Sequence, residues 1–168
     1  IPMQQEIHDI FKTFRDSILI VSEESKSVSS SVGHELMVNH PFAPARYQEA
    51  RKNLEKMVAA LADGDLETMG NITEMEAMQL HALMLCSQPN FVLLKPSTLK
   101  IIELVKTFRH DTKIPLYFTL DAGPNVHLLY PEDDRVNVQN FIQAELLTYC
   151  QKGEWIDDCV GSGPVPIS

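Results

Sequence analysis

The chain has 168 residues, a length that suits one compact domain with its own core. With 44% hydrophobic and 22% charged residues, it has the composition of an ordinary globular protein. Its formal net charge of −9, without clustered Lys and Arg, argues against a nucleic-acid surface, although a pocket for an anionic ligand can still form at helix N-termini.

Cysteine use and the length of the apolar runs point to a soluble internal protein. The widely spaced Cys86, Cys150 and Cys159 indicate reduced thiols of a cytoplasmic protein rather than a disulfide framework. The longest apolar runs, such as residues 18–21, are far shorter than the roughly 20 residues needed to span a bilayer, and no signal segment opens the chain. We therefore expect no membrane partner. Because the chain begins with Ile1 rather than Met, a truncated or processed protein is an open alternative.

The first predicted elements are a helix, a strand and a serine-rich helix start. Apolar residues at helical spacing predict a short amphipathic helix over residues 4–15, followed by a strand from Ser17 to Ser22. Serines between residues 27 and 31 then precede another predicted helix. Such hydroxyls cap the free N–H groups of a first turn, which is their more common role, and the same geometry can bind phosphate.

Two long amphipathic helices are predicted next, and they form a hairpin. The first runs from about Ala43 to Ala62 and ends at Gly64; the second starts after Asp65, a good N-cap, and runs to about Cys86. The residues expected to face the core are Tyr47, Ala50, Leu54, Met57 and Leu61 in the first helix, and Leu66, Met69, Ile72, Leu80 and Leu83 in the second.

Two polar residues of the second helix, Glu74 and His81, share one face and lie seven residues apart. They could orient a substrate group, although a lone His on an apolar helix more often has a structural role. A metal site would require more ligands at closer spacing.

The second half of the chain contains a predicted β-hairpin that turns through Asp121. A third helix, capped by Ser97, leads to two apolar runs that read as strands and flank Asp-Ala-Gly-Pro-Asn. A carboxylate at a strand end is held in fixed geometry, so Asp121 is a candidate catalytic group, and Gly123 would let a ligand approach the backbone. The same residue types also build ordinary turns. A fourth helix opening at Pro131 and a short strand at Trp155-Ile156 complete the chain.

This order of elements predicts an α+β fold. The simplest arrangement is an antiparallel, ferredoxin-like sheet with helices packed on one face and an added helical hairpin.

Several segments, taken together, resemble one family. They are Val28-Ser29-Ser30-Ser31-Val32-Gly33, Leu80-His81-Ala82, Pro89-Asn90-Phe91, Phe118-Thr119-Leu120-Asp121-Ala122-Gly123-Pro124-Asn125-Val126 and Gly161-Ser162-Gly163-Pro164. In order and spacing they resemble the C-terminal half of the diphosphomevalonate decarboxylases, in the GHMP superfamily of small-molecule kinases. The resemblance runs from about Asp16 to the end of the chain, and the Asp-Ala-Gly-Pro-Asn match is the most specific.

The resemblance implies an enzyme that uses ATP and Mg²⁺ to phosphorylate the tertiary hydroxyl of mevalonate 5-diphosphate. The intermediate then loses phosphate and CO₂ to give isopentenyl diphosphate. By the same resemblance, the carboxylate of Asp121 lies beside that hydroxyl as the catalytic group. Ser29, Ser30 and Ser31 hold the substrate's diphosphate or carboxylate, and Gly123 allows its close approach.

The chain also departs from the family pattern. His34 stands where the family usually has Met, and the 168 residues contain no Pro-x-x-x-Gly-Leu-Gly-Ser-Ser phosphate loop. The resemblance therefore implies a single domain whose N-terminal ATP-binding partner is missing, and the apolar surface so exposed could support a homodimer. Two alternatives are open: another kinase of the superfamily that does not decarboxylate, and a non-catalytic binding module of the same fold.

Overall fold

The computed structural model describes residues 7–24 and 37–161. Within these ranges the main elements are, in chain order, β1 (Phe14–Leu19), α1 (Ala43–Asp63), α2 (Leu66–Cys86), α3 (Pro96–Thr112), β2 (Tyr117–Leu120), β3 (Val126–Pro131), α4 (Arg135–Phe141) and β4 (Trp155–Cys159). The backbone continues beyond α4 as a wider π-helical turn over Ile142–Leu146.

The described strands form one antiparallel sheet in the order β2-β3-β1-β4. The predicted hairpin is confirmed, since β2 and β3 pair from Tyr117 opposite Leu129 to Leu120 opposite Val126. The order of strands and helices confirms the predicted ferredoxin-like α+β fold, with the α1–α2 hairpin inserted after β1.

The main core lies between one face of the sheet and the helices α3 and α4. On β3, Val126, Leu128 and Tyr130 are fully buried, as expected for alternate residues of a strand. They pack with buried side chains of the two helices, which are Ile101, Ile102, Val105 and Val138. This face therefore anchors β2 and β3, the strands that carry the Asp121 turn.

The helical hairpin forms as predicted and closes the β2 edge of the sheet. Gly64 has φ of +78°, a left-handed conformation that glycine adopts without strain, and it ends α1. Asp65 then caps α2, because its side chain accepts a hydrogen bond from the Thr68 N–H at 3.0 Å. Helix α2 packs along β2, so the edge strand is covered.

The N-terminal prediction was wrong in detail. The described chain forms only a short 3₁₀ helix over Asp9–Thr13, and the strand is Phe14–Leu19 rather than Ser17–Ser22. Spacing of three residues fits a 3₁₀ turn as well as an α-helix. It places the rings of Phe11 and Phe14 5.3 Å apart at the start of β1, where Phe14 lies opposite Pro131.

The predicted apolar face of α1 was wrong in part, since Met57 and Leu61 pack in a hydrophobic cluster as expected but two other members do not. Tyr47 and Leu54 are 52% and 62% exposed, whereas Asn53 is buried. Asn53 Nδ2 donates to Glu76 Oε1 of α2 at 2.7 Å, and Arg46 pairs with the same carboxylate. A polar contact therefore adds to the apolar contacts between α1 and α2, because a buried amide must be hydrogen-bonded.

The N-cap of α3 lies two residues before the predicted one, Ser97. Lys95 is the N-cap and Pro96 the first helical residue, a position at which proline loses no hydrogen bond. Thr98, not Ser97, takes the capping role, since its Oγ1 accepts from the Lys95 N–H at 3.3 Å. Leu99 is exposed, while Ile102 and Val105 are buried.

Gly70 of α2 lies directly over the ring of Tyr117, so that a Cβ at this position would stand 2.1 Å from Cδ1 of the ring. Tyr117 is buried, and the guanidinium of Arg109, a residue of α3, lies 4.7 Å from the centroid of the Tyr117 ring. Gly70→Ala would stabilise an isolated helix by about 1 kcal/mol. In this packing we expect it instead to lower the free energy of unfolding by about 2–3 kcal/mol, because the ring has nowhere to move.

Urea denaturation checks this expectation. Asn71→Ala, at the next and exposed position of α2, is the matched control and should be neutral or slightly stabilising. A Gly70→Ala chain at least as stable as the wild type would contradict the close helix–strand packing.

Candidate active site

Asp121 occupies the position predicted for it, directly after β2, and it is exposed to solvent. The preceding strand is fixed by its buried side chains Phe118 and Leu120. The turn is tight, because the Gly123 N–H donates to the Asp121 carbonyl at 2.8 Å and Leu120 already pairs with Val126. The carboxylate is therefore presented on the surface from a rigid base.

The loop over residues 121–125 is also tied to three other elements. His81 Nε2 of α2 lies 2.9 Å from the Asp121 carbonyl oxygen. Thr98 Oγ1 of α3 donates to the Pro124 carbonyl at 2.6 Å, and Asn125 Oδ1 accepts from the Ser22 N–H beyond β1 at 3.0 Å. These bonds hold the loop in one geometry, as a catalytic carboxylate requires.

Gly123 is buried, and a Cβ built on it would lie 3.0 Å from Asp121 Oδ1. A side chain here would therefore crowd the carboxylate itself. Its neighbour Ala122 packs on the small cluster of Met84 and Leu93. The predicted role of Gly123, close approach of a ligand, stays a prediction.

A cavity of about 300 Å³ lies beside Asp121. Its walls come from three segments of the chain, residues 22–24, 92–95 and 121–125. Lys95 Nζ donates to Ser22 Oγ at 2.8 Å and to Glu24 Oε2 at 2.7 Å, and this bond lowers the pKa of the Glu24 carboxyl. Charges of both signs thus meet at the cavity, which suits a polar ligand.

Lys95 was missed by the sequence reasoning, since its only signal was a place just before a proline at a helix start. The predicted substrate-binding serines Ser29, Ser30 and Ser31, together with His34, lie outside the described residues. The described chain reaches Glu24 at the wall of the Asp121 cavity.

Glu74 and His81, predicted as a possible substrate-orienting pair, have separate partners. Glu74 is buried and forms two bonds to the Arg109 guanidinium, at 2.6 Å and 3.1 Å, and its Oε1 also accepts from the Phe118 N–H at 3.3 Å. Glu74 thus joins α2 to α3 and to β2. His81 is buried at the base of the Asp121 loop, and this burial lowers its pKa.

In the part of the chain that the structure describes, no group of three or more His, Cys, Asp or Glu side chains could hold a metal ion. None of the described helices is long and apolar enough to cross a membrane. The cysteines are free thiols, of which Cys86 and Cys159 are exposed, and burial raises the pKa of Cys150 to about 11.

Comparison with known proteins identifies the family. The model of the mevalonate 5-diphosphate decarboxylase C-terminal domain matches residues 17–161. The diphosphomevalonate decarboxylase of Candida albicans is 29% identical over 132 residues, which cover 77% of this chain and 36% of the relative. The chain thus aligns with well under half of that relative's length.

Solved structures of mevalonate diphosphate decarboxylases have the same fold as this chain. Mevalonate diphosphate decarboxylase from Staphylococcus aureus superposes with a TM-score of 0.82 at 27% identity, over 96% of this chain and 48% of that one. The Enterococcus faecalis enzyme, solved in a study of ATP binding mediated by mevalonate diphosphate, has a TM-score of 0.76 at 23% identity, over 90% and 44%. Its likeness shows the fold. This chain, with its Asp121 loop, belongs to the family of mevalonate 5-diphosphate decarboxylase C-terminal domains.

Proposed function

We propose that this chain is the substrate-side domain of an ATP-dependent decarboxylase that converts mevalonate 5-diphosphate to isopentenyl diphosphate, ADP, phosphate and CO₂. The observation that carries the proposal is the carboxylate of Asp121, presented beside a cavity by a loop that three other elements hold in place. The curated relatives named diphosphomevalonate decarboxylase support the choice of reaction.

Asp121 acts as the proton acceptor in this proposal. As the tertiary hydroxyl of the substrate attacks the γ-phosphorus of ATP, its proton passes to the carboxylate and ADP leaves. The phosphorylated carbon then loses phosphate, and the electron pair of the breaking bond to the carboxylate carbon forms the new double bond as CO₂ departs. The exposed position of Asp121 on a rigid base suits a group that must reach the substrate.

The diphosphate or carboxylate of the substrate is held by Ser29, Ser30 and Ser31. Gly123 allows the substrate to come close to the backbone of the Asp121 loop. The position of the described segment that precedes these serines supports this assignment. The segment that leads to the serines reaches Glu24 at the wall of the cavity that the 121–125 loop also lines.

A second, N-terminal domain supplies the ATP site in this proposal. The 168 residues contain no glycine-rich phosphate loop, and the described residues offer no cluster of metal ligands, so groups outside them would hold MgATP. The alignment with only 36% of the Candida albicans relative supports a larger parent protein. ATP enters as a substrate, and the Mg²⁺ bound with it would neutralise phosphate charge.

The isolated 168-residue chain is accordingly expected to bind MgATP too weakly for detection at micromolar concentrations, because its sequence contains no phosphate loop to hold the ATP phosphates. Isothermal titration calorimetry measures this directly. Titration of the chain joined to the polypeptide encoded before Ile1 provides the control, in which binding should appear. Micromolar affinity of the isolated chain would contradict the proposed division of labour.

The reaction itself is tested in the protein that joins this chain to the sequence encoded upstream of it. With mevalonate 5-diphosphate and MgATP, we expect release of CO₂ and phosphate together with ADP. A kinase of the same superfamily would release ADP without CO₂. A non-catalytic module would release neither, and either of these outcomes would replace the proposal.

We further propose a cytoplasmic location and a homodimer. Free thiols at Cys86, Cys150 and Cys159 suit a reducing compartment. Exposed apolar side chains on α1, including Tyr47 and Leu54, offer a surface for self-association, which analytical ultracentrifugation would detect.

A further inference from the structure

The ring of His81 links the C-terminal part of α2 to the Asp121 loop. It projects from α2, is 2% exposed, and places Nε2 2.9 Å from the Asp121 carbonyl oxygen. A carbonyl oxygen can only accept, so Nε2 carries the proton and donates it. Burial lowers the pKa of His81, in keeping with a neutral ring that has one N–H.

The other ring nitrogen argues against a purely structural residue. Nδ1 is buried and has no hydrogen-bond partner among the described residues. Leaving a buried polar atom unpaired costs about 1–3 kcal/mol, so an apolar side chain would suit this helix position better on packing grounds. What the histidine provides and an apolar residue would not is the bond to Asp121.

That bond is one end of a two-point connection between α2 and β2. Glu74 accepts from the Phe118 N–H, and two helical turns later His81 donates to the Asp121 carbonyl. Seven residues of helix rise about 10.5 Å. Three residues of strand extend about 10 Å, so the two elements run side by side with matched spacing.

The bond from His81 affects the orientation of the Asp121 carboxylate. The Asp121 carbonyl accepts from both His81 Nε2 and the Gly123 N–H, and two donors fix the orientation of the peptide plane that follows the Asp121 Cα. Because β2 holds the backbone on the other side of this Cα, the two together set the direction of the Cα–Cβ bond that carries the carboxylate. Without the histidine donor the Asp121 carbonyl would lose the one of these two bonds that ties it to α2.

We propose that His81 is a positioning residue, which orients the catalytic carboxylate of Asp121 through its backbone carbonyl. This inference rests on the proposed function. Displacement of a reacting group by about 1 Å can cost about 100-fold in rate. Removal of the donor should therefore lower kcat by about 10- to 100-fold and leave KM within about twofold, because the diphosphate is held elsewhere.

The test compares three substitutions in the protein that joins this chain to its upstream sequence. His81→Phe fills the space without a donor. His81→Gln places its amide nitrogen close to the position of Nε2, whereas His81→Asn places its amide near Nδ1 and cannot reach the carbonyl. We expect low kcat for Phe and Asn and recovery of most of the activity with Gln. His110→Gln, at an exposed position of α3, is the control.

A double substitution separates positioning from general damage. In an Asp121→Asn background, His81→Phe should cause little further loss, because there is no carboxylate left to orient. Full additivity, or equal kcat for the Gln and Asn variants, would overturn the inference. If His81→Phe does not fold, the Gln–Asn comparison decides alone. A wild-type protein that releases no CO₂ would instead refute the proposed function, which is a distinguishable result.

Discussion

Asp121→Asn is expected to abolish most of the turnover of the protein that contains this chain while leaving its fold intact. The substitution removes the proton acceptor and keeps the shape of the side chain, so kcat should fall by about 10²- to 10⁴-fold. The bonds that hold the loop, from His81 Nε2 and the Gly123 N–H, go to the backbone carbonyl and survive the change. Substrate affinity should therefore change little.

Steady-state release of CO₂, together with the thermal unfolding midpoint, measures both halves of this expectation. Asp111→Asn makes the same chemical change at an exposed position near the end of α3 and should retain wild-type kcat. If Asp121→Asn retained near wild-type turnover, another group would have to accept the proton, and the assignment of Asp121 would fail.

The local features of the Asp121 loop were readable from the sequence. Apolar runs on both sides of Asp121 predicted β2 and β3, and glycine and proline in the connection predicted the tight turn. Gly64 and Asp65 likewise marked the helical hairpin. Each of these signals lies within a few residues of the structure that it specifies, which is why it could be recognised without any tertiary information.

The supporting contacts were not readable, because they join distant parts of the chain. His81 meets Asp121 across 40 residues, and Lys95 meets Glu24 across 71. The prediction of which α1 residues are buried was partly wrong for the same reason. Hydrophobic periodicity favoured Leu54 over Asn53, and only the position of Glu76 on the neighbouring helix explains why the amide is the buried one.

The role of Glu74 was also decided by distant partners, and it gives the largest stability effect that we expect. As the edge strand, β2 has backbone N–H groups on its outer side that no further strand of the described sheet pairs. Glu74 accepts from one of them, that of Phe118, and binds the Arg109 guanidinium through both oxygens. The side chain is only 9% exposed, so water screens these charges poorly.

Glu74→Gln keeps the size of this side chain but removes its charge and turns an N–H group toward the guanidinium. Breaking a buried pair costs about 3–5 kcal/mol, and the partial exposure of Arg109 places the expected loss of unfolding free energy near the lower value, about 3 kcal/mol. Urea denaturation of the chain measures it. Glu103→Gln removes a carboxylate from an exposed ion pair with Lys100 and should leave the midpoint almost unchanged. Equal effects of the two substitutions would mean that Glu74 is not held between β2 and α3. The bond from the Phe118 N–H to Glu74 could then no longer be counted as one of the two connections between α2 and β2.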